Sequence, residues 1–373
     1  MSEVRLTGST GVPVADRILA GAVGLFETVF PERVRGYYLV GSYAYGRPLP
    51  TSDLDLKVVF KERFRSRAEE ARARQLSHHC SQLSQIDLAP VPLPEDRLLR
   101  WGASTLKGDS LLLYGEEIRD RMPEEPLGFF TRSWMHRSQA GLLAVRGNPK
   151  RLELPLGHPD PEGELFGYDR RPLAPGSPER GIKALVTCLF FPATAILAFR
   201  HGLRTTRRAE VLARWRERED GEHTDLLAGV FERCRERWSY RIPGDPEERA
   251  WLRGACERAL GFERRFLEVY REFLLSELRT EEPPLELLPE EAAALFGVSP
   301  RVLASRIARG RLRARDEVGL RVVEVPDAGK IYALRRLVRT PFPDPEMDEV
   351  LRSLAAGVDP ELARLAAAAG GRP

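Results

Sequence analysis

With 373 residues, 42% of them hydrophobic and 30% charged, the chain can bury ordinary cores in two or three domains. Its net charge of +3 is too small to indicate a nucleic-acid or membrane partner by itself. The four cysteines, Cys80, Cys188, Cys234 and Cys256, form no C-x-x-C pair and no ligand-spaced set with the histidines, which argues against a zinc site and for a reduced, cytoplasmic chain.

The N-terminal segment MSEVRLTGST is polar and lacks the apolar stretch of a signal peptide. Ala15 to Phe30 reads as a first helix, with Asp16 near its start and Pro31 beyond its end. VRGYYLVGS predicts a strand ending in a turn, and SDLDLKVVF a second strand. Ser66 to Leu83 predicts a helix. SQIDLAPVPL predicts a third strand, closed by Pro90, Pro92 and Pro94. This order argues for an α/β unit with a mixed sheet, placed at residues 1–123. Proline and acid in RMPEEPLG mark its end. A mostly helical part follows at 124–282. In it, Ala184 to Phe199 is the longest apolar run, but it is short of a span and holds Pro192, so it reads as a buried helix and not a membrane crossing. The proline-rich TEEPPLELLP introduces a third part, 283–373, ending in an alanine-rich tail expected to fray.

Two carboxylates inside the second strand raise the chemical question. Side chains alternate along a strand, so Asp53, Asp55 and Lys57 share one face while Leu54, Leu56 and Val58 take the other. Two residues along a strand span roughly 6.5–7 Å, close enough for two carboxylate tips to lean onto one or two cations. Unpaired, they would repel; a bound cation removes that penalty. Asp87, alternating with Ile86 and Leu88, points at the same spot if its strand lies alongside. The Gly41-Ser42 turn lets backbone approach a ligand, and successive N–H groups at such a turn cradle anions. Together these features suit phosphoryl or nucleotidyl transfer.

The stretch GSYAYGRPLPTSDLDL resembles the signature of the polymerase-beta-like nucleotidyltransferase superfamily, with the aminoglycoside-type branch most similar, over about residues 34–91. The resemblance implies two Mg2+ ions held by Asp53 and Asp55. Asp87 would complete the triad and act as base, and Gly41 and Ser42 would bind the triphosphate of ATP or another NTP. Ser52 and Lys57 beside the acids join the nucleotide-binding candidates. Relatives carry arginine where Tyr45 stands; Arg47 is the candidate substitute. GDSLLLYGEEIRDRMPEE resembles the segment closing the catalytic domain of that branch, and Ala195 to Trp215 resembles its helical domain, the wall that holds the acceptor. The alternative is a core helix, a Gly202 cap and a solvated face of Arg204, Arg207 and Arg208.

Near the C-terminus, Pro289–Phe296 predicts a short helix, Gly297 a turn and Ser299 the N-cap of a second helix. Ala293, Leu295, Val298, Val302 and Ile307 are expected inside, and Arg301, Arg306, Arg309, Arg311 and Arg313 outside. RARDEVGLRVVEVPDAG predicts a two-stranded wing. The segment resembles the helix-turn-helix of excisionase and MerR-like proteins, which implies DNA or RNA contact through Arg301, Arg306 and Arg309; protein docking is the alternative. The expectation for the whole chain is a Mg-dependent nucleotidyltransferase that moves NMP to a hydroxyl of a small molecule, protein or RNA and releases pyrophosphate. Its rival is a nucleic-acid-binding regulator whose inactive nucleotidyltransferase domain senses nucleotide.

Overall fold

The computed structural model describes residues 4–173, 177–219, 221–317, 320–357 and 359–370. The chain forms two compact units, Met1–Gly141 with Asp160–Ala259, and Leu142–Pro159 with Leu260–Pro373.

The first unit begins with α1 (Pro13–Val29), β1 (Val34–Val40), β2 (Leu54–Phe60), α2 (Arg67–Leu83) and β3 (Leu88–Pro94). Then come α3 (Glu95–Trp101), α4 (Ser104–Gly108) and β4 (Ser110–Gly115). The four strands form a mixed sheet in the order β3-β2-β1-β4. β1 pairs antiparallel with β2 and β4, while α2 carries the chain across so that β3 runs parallel to β2. α2 is capped by Ser66, whose hydroxyl accepts the Glu69 N–H. The prolines of SQIDLAPVPL do not close the third strand: Pro90, Pro92 and Pro94 lie within β3. β3 is an edge strand with one bonded neighbour, where missing N–H groups are tolerated.

Alternation sorts the sheet residues into two layers. Tyr37, Leu39, Leu54, Leu56, Val58 and Phe60 pack with Leu19, Val23 and Phe26 of α1 and Ala73 and Cys80 of α2. Tyr38 and Val59 point the other way, against Leu98 of α3, Leu106 of α4, Ile118 and Met122. This second layer covers only part of its face, and Asp55 and Lys57 share that face with Val59.

The unit continues with most of α5 (Leu127–Val145), a two-residue strand pair β5 (Arg171–Pro172) and β6 (Arg180–Gly181), α6 (Lys183–His201), α7 (Arg208–Arg218) and α8 (Thr224–Gly229). α6 is long and apolar enough to cross a membrane, but Leu185, Val186, Leu189, Ala193, Ile196 and Leu197 are fully buried, as in a core helix. Gly202 caps it in the left-handed conformation. After α8 a π-helical stretch, Val230–Arg237, ends in two non-glycine residues with positive φ, Ser239 and Tyr240. α9 (Pro246–Arg279) follows.

The second unit includes β7 (Leu285–Leu287), α10 (Pro289–Phe296), α11 (Pro300–Ala308), β8 (Arg313–Glu317), β9 (Leu320–Val325), α12 (Ala328–Leu337), α13 (Pro345–Ala355) and α14 (Pro360–Gly370). The expected two-stranded wing has three strands, ordered β7-β9-β8, because the residues after the prolines of the linker supply β7. The turn residues Val318 and Gly319 lie outside the described residues. Ala293 and Leu295 are buried as expected, but Val302 is 44% exposed and Leu303 takes the inward place. One position along a helix is a rotation of about 100°, so the buried stripe of α11 passes through 303. The tail is not a frayed end: Leu362, Leu365, Ala366 and Ala369 of α14 are buried. Gly371 to Pro373 lie outside the described residues. An ion pair between the half-buried Arg146 and the buried Glu263, at 2.5 Å, also belongs to this unit.

Candidate active site

Asp53 immediately precedes β2 and Asp55 is its second residue. The parallel register sets Leu54 beside Leu88, and the Leu54 N–H donates to the Asp87 carbonyl at 2.7 Å. Asp87 therefore sits level with Asp53 at the same end of neighbouring strands. Burial and then the Asp53 charge hold the Asp55 carboxyl above its usual value, against the opposing charges of Lys57, Lys183 and Arg137. Asp87 is also raised, by lost hydration and by Asp53, with Lys183 opposing. The carboxylates thus bear on one another across two strands.

Gly41 closes β1 opposite this pair. Its φ of 82° is in the glycine-favoured region, and a Cβ there would stand 3.2 Å from Asp55 Oδ2. Linked turns follow: the Ala44 N–H donates to Gly41 O, and the Arg47 N–H to Ser42 O. Ser42 is half-buried and Arg47 exposed. Ser52 is buried, and its hydroxyl accepts the Leu49 N–H at 2.8 Å, so it braces the loop that delivers Asp53. Lys57 stands across from Tyr38 in β1. Burial lowers its pKa, Asp55 opposes, and Arg137 adds to the lowering.

Several cations at this site come from the distant helical segments of the same unit. Lys183, the first residue of α6, holds Asp53 with Nζ 3.0 Å from Oδ2. Arg137 of α5 lies over the rings of Trp134, at 5.3 Å, and Phe191, at 5.7 Å, and its charge reaches Asp55. Arg207 stacks on Tyr45 at 4.3 Å and pairs with Asp109 at 2.5 Å. A guanidinium thus stands against the tyrosine that occupies the arginine position of the motif, and it comes from residue 207. Arg207 makes these contacts while its side chain stays 48% exposed, as the solvated-face alternative also expects. The strained end of the π-helical stretch sets the Tyr240 hydroxyl 3.3 Å from Arg208, while the Arg235 guanidinium reaches Arg47 O at 3.5 Å. Burial pushes the Arg235 guanidinium below its usual value; Tyr240 opposes, and the Arg208 and Arg47 charges add to the lowering. Sequence reasoning missed Lys183, Arg137, Arg235 and Tyr240. One signal existed: the chain has only six lysines, and Lys57 and Lys183 are two of them.

Among the described residues, no three His, Cys, Asp or Glu side chains form a metal cage. Magnesium does not require one. It keeps several waters and is commonly bound by one or two carboxylates plus substrate phosphates. Two oxygen donors of like charge, on a partly open sheet face beside a glycine turn, fit an ion that arrives with a triphosphate.

The residues expected to touch nucleic acid differ among themselves. Arg301 and Arg309 are exposed. Arg306 lies over the Phe296 ring and pairs with Glu361 of α14 at 3.1 Å.

Residues 25–98 match the family model described as nucleotidyltransferase domain. No curated protein matches the chain. Among solved structures, spectinomycin adenyltransferase AAD(9) from Enterococcus faecialis, with ATP and spectinomycin, aligns at 12% identity and a TM-score of 0.41. The alignment covers 66% of this chain and 98% of that one, a likeness too loose to carry an argument.

Proposed function

We propose that the chain is a metal-dependent nucleotidyltransferase that moves the NMP of ATP or another NTP to a hydroxyl acceptor and releases pyrophosphate. One observation carries this reading: the parallel β2–β3 register sets Asp87 level with Asp53, beside Asp55, within the segment that matches a nucleotidyltransferase domain. Asp53 and Asp55 would hold Mg2+, which supplies neutralisation of the triphosphate and of the leaving pyrophosphate. Gly41 and Ser42 would receive the phosphate chain, with Arg47 and Lys57 at its flanks. Asp87, held above its usual pKa, is suited to take the proton of the attacking hydroxyl. In this reading residues 1–123 perform the chemistry, 124–282 hold the acceptor, and 283–373 form an accessory module with a nucleic-acid contact through Arg301 and Arg309.

The test is incubation with each labelled NTP, Mg2+ and a panel of acceptors: aminoglycosides, protein and RNA ends. Pyrophosphate release together with an NMP mass shift on one acceptor supports the reading. Nucleotide binding with neither product on any acceptor favours the regulator instead.

A further inference from the structure

The cation that stands against Asp53 belongs to the protein. Lys183 Nζ lies 3.0 Å from Asp53 Oδ2, and both side chains keep partial solvent contact, at 30% and 36% exposure. The lysine charge also acts on Asp55 and Asp87, so one ammonium bears on all three carboxylates. Nothing in α6 itself asks for it. A helix N-terminus disfavours a cation, yet Lys183 is the first residue of α6, and no other charged residue appears before Arg200. Its place is explained by Asp53 and not by the helix. The lysine is a compact charge on a flexible four-carbon stem, so it can let go of one oxygen and reach another without moving the buried helix behind it.

We propose that Lys183 is a place-holding cation, which occupies Asp53 in the nucleotide-free protein and moves to a phosphate oxygen when a divalent cation arrives with the triphosphate. This rests on the reading that Asp53 and Asp55 are metal ligands. The exchange keeps a cation on the carboxylates: the singly charged ammonium leaves as the doubly charged metal enters. It makes free metal a poor ligand of the empty site and ties metal binding to nucleotide binding. Lys183 is in this sense a positioning residue, and its signature is metal affinity and not rate alone.

The experiment is Mn2+ titration of the full chain by electron paramagnetic resonance, with and without α,β-methylene ATP. Lys183→Met should bind Mn2+ about tenfold more tightly than wild type in the absence of nucleotide, because a positive charge has left the ligand. With the nucleotide analogue the gain should shrink or reverse, because the phosphate partner has been lost. Lys183→Arg should keep the wild-type pattern, and adding Asp53→Asn to Lys183→Met should abolish the gain. Lys183→Gln serves as a second neutral variant if the methionine chain unfolds early in a thermal melt. Unchanged or weaker nucleotide-free Mn2+ binding in the folded neutral variants overturns the proposal, while wild type still binding Mn2+ with the analogue leaves the metal-site reading standing. No Mn2+ binding by any form, with or without the analogue, overturns both.

Discussion

Both units pair arginine with carboxylate around their small sheets, as Arg33 with Glu69 and Arg35 of β1 with Glu95 and Glu116 show for the first, but only the first also gathers carboxylates at one end of neighbouring strands. In the second unit, arginines meet carboxylates of the same unit: Arg315 of β8 pairs with Glu286 of β7, Arg306 with Glu361, Arg271 with Asp344, and Arg146 with the buried Glu263. In the first unit, Lys183 pairs with Asp53, yet Asp55 stands partly buried beside Asp53, Asp87 is level with Asp53, and burial and the Asp53 charge leave both Asp55 and Asp87 harder to ionise than a free acid. Paired charge specifies packing. Like charge gathered on an open face costs stability, and it persists where a ligand relieves it. The contrast is between paired charge alone and paired charge with a carboxylate cluster added.

That contrast breaks most readily at Asp53 and Asp55. Asp53→Asn and Asp55→Asn should each lower NMP transfer by about 10³-fold or more, several kcal/mol of lost transition-state stabilisation. Asp55→Asn should nevertheless melt at or above the wild-type temperature, because it removes a charge that burial and Asp53 disfavour. A variant that keeps wild-type turnover at saturating Mg2+ would sink the metal assignment.

The opposite balance is expected at Glu263. Glu263→Gln leaves the half-buried Arg146 without its counter-charge at a fully buried partner and should cost about 3–5 kcal/mol in denaturant unfolding. A loss below about 1 kcal/mol would mean that the second unit does not depend on its paired charges.

Asp87→Ala sharpens the division of labour among the acids. It should reduce kcat by about 10²–10⁴-fold while changing nucleotide affinity little. Equal losses in both would make Asp87 a ligand and not a base.

The smallest effect concerns α11. Arg301→Ala with Arg309→Ala should flatten the salt dependence of duplex DNA or RNA binding by about one unit of log–log slope per lost phosphate contact. Arg306→Ala should act through stability instead, because its guanidinium is held by Glu361. An absence of binding to either nucleic acid at low salt leaves the accessory module a docking role.

Much of the first unit was legible in the sequence. The period-two pattern of SDLDLKVVF put Leu54, Leu56 and Val58 in the core and Asp55 and Lys57 on the other face, as the structure has them. The caps Gly202 and Ser299 were readable because capping depends on one side chain or one φ value. Other features were not local. The prolines of β3 read as a strand end, because only the sheet order shows that β3 is an edge. The shift of the buried stripe from Val302 to Leu303 depends on how α11 is rotated against its neighbours, which no short window encodes. The alanine-rich tail read as frayed because burial of Leu362 and Leu365 is a tertiary fact.

The candidate site divides along the same line. By itself the sequence determined the acid pair, their common strand face and the glycine turn opposite them, since each follows from backbone geometry over a few residues. Only the tertiary structure decided that Asp87 lies level with Asp53, that Arg207 stands over Tyr45, and that Lys183 closes on Asp53 across 130 residues of chain. Electrostatic contacts of this kind act through space within a few ångströms and leave no periodicity in the sequence, so they become visible only once the fold has brought the charges together.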